Sequence, residues 1–541
     1  MSLQDENVEV MLKRRLLELF DRRSSWNRSL WQVGTNLALQ EVLEYADGYR
    51  SSAMVSDEGL KYVTASAATL VRRDIGLGPD GVRDKITKLL NTSHARKNSA
   101  GLASTTNADE LRELARRTQM RYLESWAEVA DQGRITPDRI EMASRSVAAF
   151  LLDAQFSANH LHGWLLSTLD KNRDISLGEL FLQAHRMWER ADATYIVIVP
   201  FQKLPAEVVN AAGEDFVSWN DLRAVQTSTR SGAPKLREGV GALRLSVVAR
   251  EPFAAIAAAE DEVRRLTART VVGLSSDSIE AASDALVGSS QDVLRWRPFR
   301  SWRKDVVVPS IQRNGLLLKR SNPDVTAALD DAFELLASAG TSTTWASVAA
   351  TWAVVEGLLA PPDDSGASSA DRMAAIVACS WPRAEMTQLV DALISGGGEI
   401  GNLLESKPTV TDRLDVLDNL LAKKQALLLA EPGDMAALAR MRALYDDPPA
   451  VLGRVRSYYC DAFRRLYQQR NLVMHKGRSD SVALGATLRT VPMLVAAGVD
   501  RLVHAAFQPM PSTPAALAAR ASVELGLAGM PGGKSLHRLL D

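Results

Sequence analysis

Apolar residues recur at three- and four-residue steps along most of the chain, which is the spacing of a helix with one buried face. In residues 9–22 the apolar positions are Val10, Leu12, Leu16, Leu17 and Phe20. Similar periodicity marks four more segments, namely 29–49, 62–73, 108–130 and 137–152. The pattern therefore predicts a helical N-terminal region over residues 1–192.

A different pattern begins near residue 193. Residues 194–199 form a β-branched and aromatic run that Pro200 closes, and residues 243–248 alternate in a way typical of a strand. Residues 306–308 and 316–318 are candidates for additional edge strands. Because helical periodicity lies between these runs, we expect a small α/β module over residues 193–320.

Helical periodicity returns after this module. Ser321-Asn322-Pro323-Asp324 combines a capping residue, a proline and an acidic residue, which is typical of a helix start. The periodicity continues to about residue 508 and predicts a C-terminal helical domain over residues 321–508. The last 33 residues contain four prolines and predict a loosely attached tail over residues 509–541. The expected fold is mainly α and multidomain.

Composition narrows the function classes. With 541 residues the chain is long enough for about three domains. Its 64 lysines and arginines nearly balance 65 acidic residues, which leaves a formal net charge of -1. This balance excludes a chain-wide attraction to nucleic acids or membranes, although a local basic patch remains compatible with it.

The cysteines and the apolar runs bear on the compartment. Cys379 and Cys460 are too few for a disulfide framework, and with only seven histidines the chain lacks ligands for a structural zinc ribbon. No apolar run reaches the roughly 18 residues of a membrane span, and the N-terminus opens with acidic residues. We therefore expect a cytoplasmic protein without a structural zinc site.

The stretch with the most chemical interest covers residues 458–477, YYCDAFRRLYQQRNLVMHKG. Its apolar positions mark one face of a long helix, and Arg470 follows Leu466 by four residues on that same face. A guanidinium in a buried stripe requires an anionic partner because arginine stays charged.

Two further polar residues lie on an adjacent face. Asn471 and His475 are four residues apart and therefore stack one turn above the other, and Gly477 is placed to end the helix nearby. Arg470, Asn471 and His475 thus offer a fixed cation, an amide donor and a titratable base. These three groups suit phosphodiester chemistry, in which imidazole moves a proton and guanidinium holds a phosphate.

The segment from Arg470 to His475, RNLVMH, resembles the R-x4–6-H motif of HEPN-domain proteins. Tyr467 before the motif and Gly477 after it are similar to the Apea-like HEPN branch in particular. Upstream, residues 345–360 (WASVAATWAVVEGLLA) resemble the early aromatic and glutamate-bearing helix of that branch, with Glu356 on an apolar face. The resemblance covers residues 322–508, about a third of the chain.

The resemblance implies an all-helical bundle that forms a homodimer. It also implies cleavage of RNA with no metal and no other cofactor, by attack of the 2′-OH on the adjacent phosphate. His475 would act as general base or acid, Arg470 would stabilise the phosphate, Asn471 would position it, and Glu356 is a possible supporting residue. The implied role is a toxin or an effector of antiphage defence by abortive infection, in which residues 1–320 sense, recruit or restrain.

Two other interpretations remain open. The HEPN-like region could be a non-catalytic module that binds RNA or a partner protein. It could also be a helical scaffold in which Arg470 is merely paired with Glu356.

A second candidate site lies near the end of the α/β module. Five cations and three aromatic residues alternate in residues 295–304, RWRPFRSWRK. One interpretation is a platform for single-stranded RNA, with bases stacked on rings and phosphates bound by cations. The other is a linker whose aromatic rings pin it to the neighbouring domain. The residues of the candidate RNA platform are Arg295, Trp296, Arg297, Arg300, Trp302, Arg303 and Lys304.

Overall fold

The structure is a computed structural model, and all structural statements refer to the residues that it describes. The described residues are 8–52, 56–92, 105–228, 236–274, 279–289, 293–299, 306–313, 315–317, 323–341, 344–360, 366–476, 480–508 and 510–541. Most of them are helical, which confirms the predicted mainly α fold.

Helices and strands are numbered in chain order. The helices before the first strand are α1 (Val8–Phe20), α2 (Thr35–Ser52), α3 (Asp57–Arg73), α4 (Asp80–Thr92), α5 (Thr105–Met120), α6 (Tyr122–Asp131), α7 (Ile140–Asp153), α8 (Ala158–Lys171) and α9 (Leu177–Trp188). The elements of the middle region are β1 (Ala193–Lys203), α10 (Ala206–Ala212), β2 (Phe216–Val217), α11 (Trp219–Ser228), β3 (Ala242–Ala249), α12 (Pro252–Leu274), β4 (Glu280–Ala281), β5 (Asp284–Ser289) and β6 (Arg295–Pro298). The later helices are α13 (Pro309–Arg313), α14 (Pro323–Thr341), α15 (Thr344–Leu359), α16 (Gly366–Gly396), α17 (Gly398–Glu405), α18 (Val410–Ala422), α19 (Pro432–Asp446), α20 (Pro448–Lys476), α21 (Leu484–Ala506) and α22 (Pro514–Leu527).

The chain forms two compact units whose boundaries differ from the division expected at residues 192, 320 and 508. The larger unit comprises Met1–Asp153, Asn172–His185 and Asp305–Asp541. The smaller unit comprises Ala154–Lys171 and Arg186–Lys304. The first seven helices and most of α9 therefore share a unit with the C-terminal helices, whereas α8 belongs to the smaller unit. Trp31 illustrates this arrangement, because it is buried in the C-terminal core with its ring centroid 4.7 Å from that of Tyr459.

The smaller unit contains an antiparallel sheet with the strand order β2-β3-β1-β5-β6, and β4 pairs with the end of β1. Alternate β1 residues such as Val197 and Val199 pack in the core that α12 covers, whereas Ile198 packs in the core on the opposite face. The two strands predicted at residues 194–199 and 243–248 lie in β1 and β3.

The predicted edge strands at residues 306–308 and 316–318 are wrong for the described residues. Val306 and Val308 lie outside regular structure and pack against the helical core of the larger unit, and residues 315–317 form a turn. Three consecutive apolar residues are too few to distinguish a strand from an extended segment that packs on helices. Beyond β1 the sheet continues with β5 and ends at β6.

The prediction of a loosely attached tail over residues 509–541 is also wrong. Within it, α22 buries Leu517, Ala518 and Ala521 against the helical core. Pro514 lies in the first turn of α22, where a proline is compatible with a helix. The C-terminal Asp541 forms ion pairs with two arginines of the larger unit, Arg383 at 2.7 Å and Arg501 at 2.9 Å.

A buried ionic cluster joins α1 to α16 and α19. Arg440 donates hydrogen bonds to Glu18 at 2.7 and 2.9 Å and to Glu385 at 2.9 Å. Arg28 donates to Glu385 at 3.2 Å. The cluster contains four arginines and four carboxylates, so its formal charges balance. Its remaining members are Arg15, Glu141, Arg145 and Asp434.

The pKa of Glu18 reflects this arrangement. Burial alone would raise the pKa of Glu18, but the neighbouring Arg440, Arg15 and Arg28 outweigh burial and lower it below its ordinary value of 4.5. Glu18 is therefore a carboxylate in the folded protein, and the interaction stabilises the fold.

Removal of one carboxylate from the cluster should lower the stability of the protein. We expect Glu385→Gln to reduce the free energy of unfolding by about 3–5 kcal/mol, because Arg28 and Arg440 then keep buried charge without its partner. The exposed Glu399 supplies a control, since Glu399→Gln should change stability by less than about 0.5 kcal/mol. Urea unfolding measures both values, and equal stability of the two variants would contradict the role given to the cluster.

The same cluster predicts a pH dependence. Because the folded pKa of Glu18 is lowered, its stabilising effect is present above the ordinary carboxyl pKa of 4.5 and is lost as the pH falls below that value. We expect the free energy of unfolding to decline with falling pH in this range, and to decline less steeply in Glu18→Gln. Parallel pH profiles for the wild type and this variant would show that Glu18 does not contribute.

Candidate functional site

The candidate site is built at the C-terminal end of α20, a helix of 29 residues. Its apolar positions fall on one face and are buried as the spacing predicts, and they are Val455, Tyr459, Ala462, Leu466 and Val473. This face fixes the rotation of α20 in the larger unit. The rotation in turn determines where the polar residues of the motif lie.

Arg470 lies at the edge of this face and not inside it. Its side chain is 29% exposed, so the expectation of a guanidinium buried in the stripe is wrong. The physical reason is the length of arginine, whose stem can follow an apolar surface while the charged group reaches solvent. The guanidinium is therefore accessible to a ligand.

Three of the four predicted site residues meet around this guanidinium. Nη2 of Arg470 lies 3.5 Å from Oε2 of Glu356 on α15, and the Glu356 side chain is 41% exposed. Nη1 of Arg470 donates a hydrogen bond of 3.1 Å to Oδ1 of Asn471. The pair with Glu356 is long and partly solvated, which makes it a weak ion pair.

His475 lies one turn beyond Asn471 in the same helix, which continues to Lys476. The side chain of His475 lies outside the described part of the structure, as does Gly477. The geometry therefore covers the cation, the amide and the supporting carboxylate.

An aromatic contact fixes the distance between α15 and α20 beside the site. The ring centroid of Tyr467 lies 5.0 Å from that of the buried Trp352. On α20, Tyr467 is one turn from Arg470, and on α15, Trp352 is one turn from Glu356. Gly366, the first residue of α16, approaches the same ring, since a Cβ added there would lie 2.5 Å from Tyr467. Close packing on Tyr467 thus positions the two helices that carry the pair.

A buried ion pair that the sequence analysis missed anchors α20 five residues before Arg470. Nε of Arg465 donates a 3.0 Å hydrogen bond to Glu41 on α2, and Gln469 donates to the same carboxylate at 3.2 Å. Burial alone would lower the pKa of Arg465, but Glu41 outweighs burial and raises it. The sequence did contain a signal for this pair. Glu41 and Arg465 are charges of opposite sign, and each lies within an apolar helical pattern.

The second candidate site is only partly described. Arg295, Trp296 and Arg297 form part of β6, whereas Arg300, Trp302, Arg303 and Lys304 lie outside the described residues. Trp296 packs against one core of the sheet, and the guanidinium of Arg297 lies 4.9 Å from the ring centroid of Phe253. These contacts lie within the smaller unit, so they anchor the described part of the segment to its own sheet rather than to a neighbouring domain.

Metal ligands and membrane spans were also sought in the described ranges. No group of three or more His, Cys, Asp or Glu side chains in these ranges could hold a metal ion. None of the described helices combines the length and the apolar character needed to cross a bilayer. Burial raises the pKa of Cys379 to about 12 and that of Cys460 to about 11, so both thiols are protonated at neutral pH.

Comparison with known proteins gives no assignment. No family model matches the chain, and neither the curated proteins nor the solved structures contain a match. The HEPN resemblance therefore depends on the motif and its surroundings.

Two of the ion pairs of α20, Arg470–Glu356 and Arg465–Glu41, should differ in their effect on stability. We expect Glu356→Ala to cost less than about 1 kcal/mol because the pair is partly exposed. Glu41→Gln should cost about 3–5 kcal/mol because it leaves Arg465 buried without its partner. Chemical denaturation measures both, and a loss of several kcal/mol for Glu356→Ala would instead support the scaffold interpretation of Arg470.

Proposed function

We propose that this chain is a metal-independent endoribonuclease of the HEPN type. The observation that carries the proposal is the arrangement at the end of α20, where a partly exposed Arg470 contacts Asn471 and Glu356. The sequence places a histidine one turn further along the same helix. The weak pair with Glu356 supports the proposal, because a phosphate can replace a solvated carboxylate at a guanidinium with a stronger bidentate contact.

The proposed reaction divides the RNA backbone without a cofactor. The ribose 2′-oxygen forms a bond to the adjacent phosphorus while the bond from phosphorus to the 5′-oxygen breaks. The 2′-OH proton goes to a base and the departing 5′-oxygen receives a proton from an acid, and His475 serves in one of these two roles. Arg470 offsets the charge that develops on the phosphate, and Asn471 positions the phosphate. The products are a 2′,3′-cyclic phosphate and a 5′-OH.

The proposed biological role is a toxin or an effector of antiphage defence that acts as a homodimer. An RNase that cleaves the RNA of its own cell must be restrained until it is needed. The larger unit supports such control, because α2 of the N-terminal region contacts α20 through Glu41 and Arg465. We propose that residues 1–320 sense a trigger or restrain the site through contacts of this kind.

A non-catalytic module is compatible with the same contacts. Both terminal nitrogens of Arg470 already contact protein groups, Glu356 and Asn471. A non-catalytic module that binds RNA or a partner protein would also place these residues at the surface. Cleavage assays separate the two functions.

The test is cleavage of total RNA by the purified full-length protein in EDTA. We expect the wild type to cut RNA to products with 2′,3′-cyclic phosphate ends, and Arg470→Ala and His475→Ala to be at least about 100-fold slower. Matched controls are Arg22→Ala and His162→Ala, which alter the same residue types away from the motif and should retain the wild-type rate.

The remaining outcomes are also informative. Equal cleavage by all five proteins would mean that the activity resides elsewhere, and the proposal would be wrong. If no protein cuts RNA, expression in cells decides. Growth arrest that requires His475 supports a nuclease that needs a trigger, and the absence of arrest supports the binding module.

A further inference from the structure

A cavity of about 560 Å³ opens in the larger unit near the N-terminal half of α20. Its walls come from α3, from the start of α4, from residues 134–142 and from α20. The lining contains six arginines, which are Arg72, Arg73, Arg83, Arg134, Arg139 and Arg454.

The charge of this lining is strongly unbalanced. Against the six guanidinium groups stands one carboxylate, that of Asp80, so the formal charge of the lining is +5 (six minus one). The whole chain has a formal charge of only -1. Arginine does not lose its proton in proteins, so this positive charge persists at every ordinary pH.

Asp80 accounts for one arginine only. It pairs with Arg83, whose side chain is 15% exposed. In the part of the chain that the structure describes, the other five arginines of the cavity form no salt bridge, although Asp461 and Asp138 interact electrostatically with Arg73 and Arg139. The ionic cluster around Glu18 has the opposite property, because each of its arginines has a carboxylate partner.

Backbone contacts hold two of these side chains in place. Arg83 donates a 3.1 Å hydrogen bond to the carbonyl of Arg72, and Arg139 donates one of 3.4 Å to the carbonyl of Arg134. Nε of Arg83 is buried and has no hydrogen-bond partner among the described residues. The cavity thus presents two cations held by backbone hydrogen bonds, four further cations with exposed side chains, and one unsatisfied donor. These are groups that bind phosphate oxygens.

The size and the remaining walls indicate a small molecule. A volume of about 560 Å³ lies within the range of small-molecule sites, about 300–1,000 Å³. Ile75, Met142 and Tyr458 supply apolar surface beside the arginines. The ring of Tyr458 is itself supported, since the guanidinium of Arg145 lies 5.3 Å from its centroid. This combination suits a molecule with a cluster of phosphates and a flat apolar group.

We propose that this arginine-lined cavity binds a nucleoside polyphosphate. Adjacent phosphates concentrate negative charge in a small volume, and here the cations converge on one cavity from four parts of the chain. An RNA strand would instead spread single charges along an extended groove. The site is distinct from the motif, because Arg454 and Arg470 are 16 residues apart on α20, about 24 Å at the helical rise of 1.5 Å per residue.

The test uses calorimetric titration of the full-length protein with inorganic tripolyphosphate and with ATP. We expect both to bind the wild type, with ATP binding more tightly because its base contacts the apolar wall. The double variant Arg134→Glu/Arg454→Glu should weaken both by at least about tenfold, since each removes a charged hydrogen-bond donor. The matched control is Arg22→Glu/Arg173→Glu, which makes the same change of charge at exposed arginines outside the cavity and should bind as the wild type does.

Three results would overturn the proposal. The first is that neither probe binds the wild type, and the second is that the cavity variant and the control bind equally well. The third is that a single-stranded RNA oligonucleotide binds in a cavity-dependent way while ATP and tripolyphosphate do not, which would assign the cavity to an RNA strand. Thermal melting shows whether both double variants are folded. Because heat of binding is measured without RNA cleavage, an inactive motif at Arg470 leaves this test unaffected.

Discussion

The larger unit depends on the buried ionic cluster around Glu18, which joins α1 to α16 and α19. Apolar packing is tolerant of small shifts, whereas a buried charge is stable only when its partner is in place. Glu18 and Arg28 come from the first 30 residues, and Arg440 and Glu385 come from helices more than 350 residues later. The balance of charge therefore requires the two ends of the chain to assemble together. It also explains why the N-terminal helices do not form a separate body.

Because the core is shared, the position of the motif depends on helices outside residues 322–508. A resemblance confined to residues 322–508 suggests a domain that could stand alone. However, α20 is anchored by Glu41 through Arg465, and Trp31 fills the core beside Tyr459. A fragment without α1 and α2 would expose these polar and aromatic groups. The candidate site is consequently a property of the whole larger unit.

The sequence predicted local structure well and long-range pairing poorly. Periodicity located several helices, among them α1, α2, α3, α7 and α20, as well as the strands β1 and β3, because burial on one face depends on residue spacing alone. Spacing also placed Arg470, Asn471 and His475 on one helix. It did not reveal the exposure of Arg470 or the Glu41–Arg465 pair, since both depend on which helix packs alongside. The short runs at 306–308 and 316–318 were misassigned because three residues carry too little periodicity.

The arginines of α20 differ in how completely nearby carboxylates balance their charge. This difference distinguishes structural arginines from candidate functional ones. Arg465 is buried against Glu41, and Arg464 donates two hydrogen bonds to Asp371 at 2.7 and 2.6 Å. These pairs are complete and hold the helix. Arg470 has only a weak, partly exposed partner, and Arg454 has no salt bridge with any described residue. A cation without full compensation in the folded chain is free to bind an anion from outside in place of water. The two ends of α20 where compensation is lacking are therefore the places to look for ligands, and the fully paired arginines between them keep both ends in fixed positions.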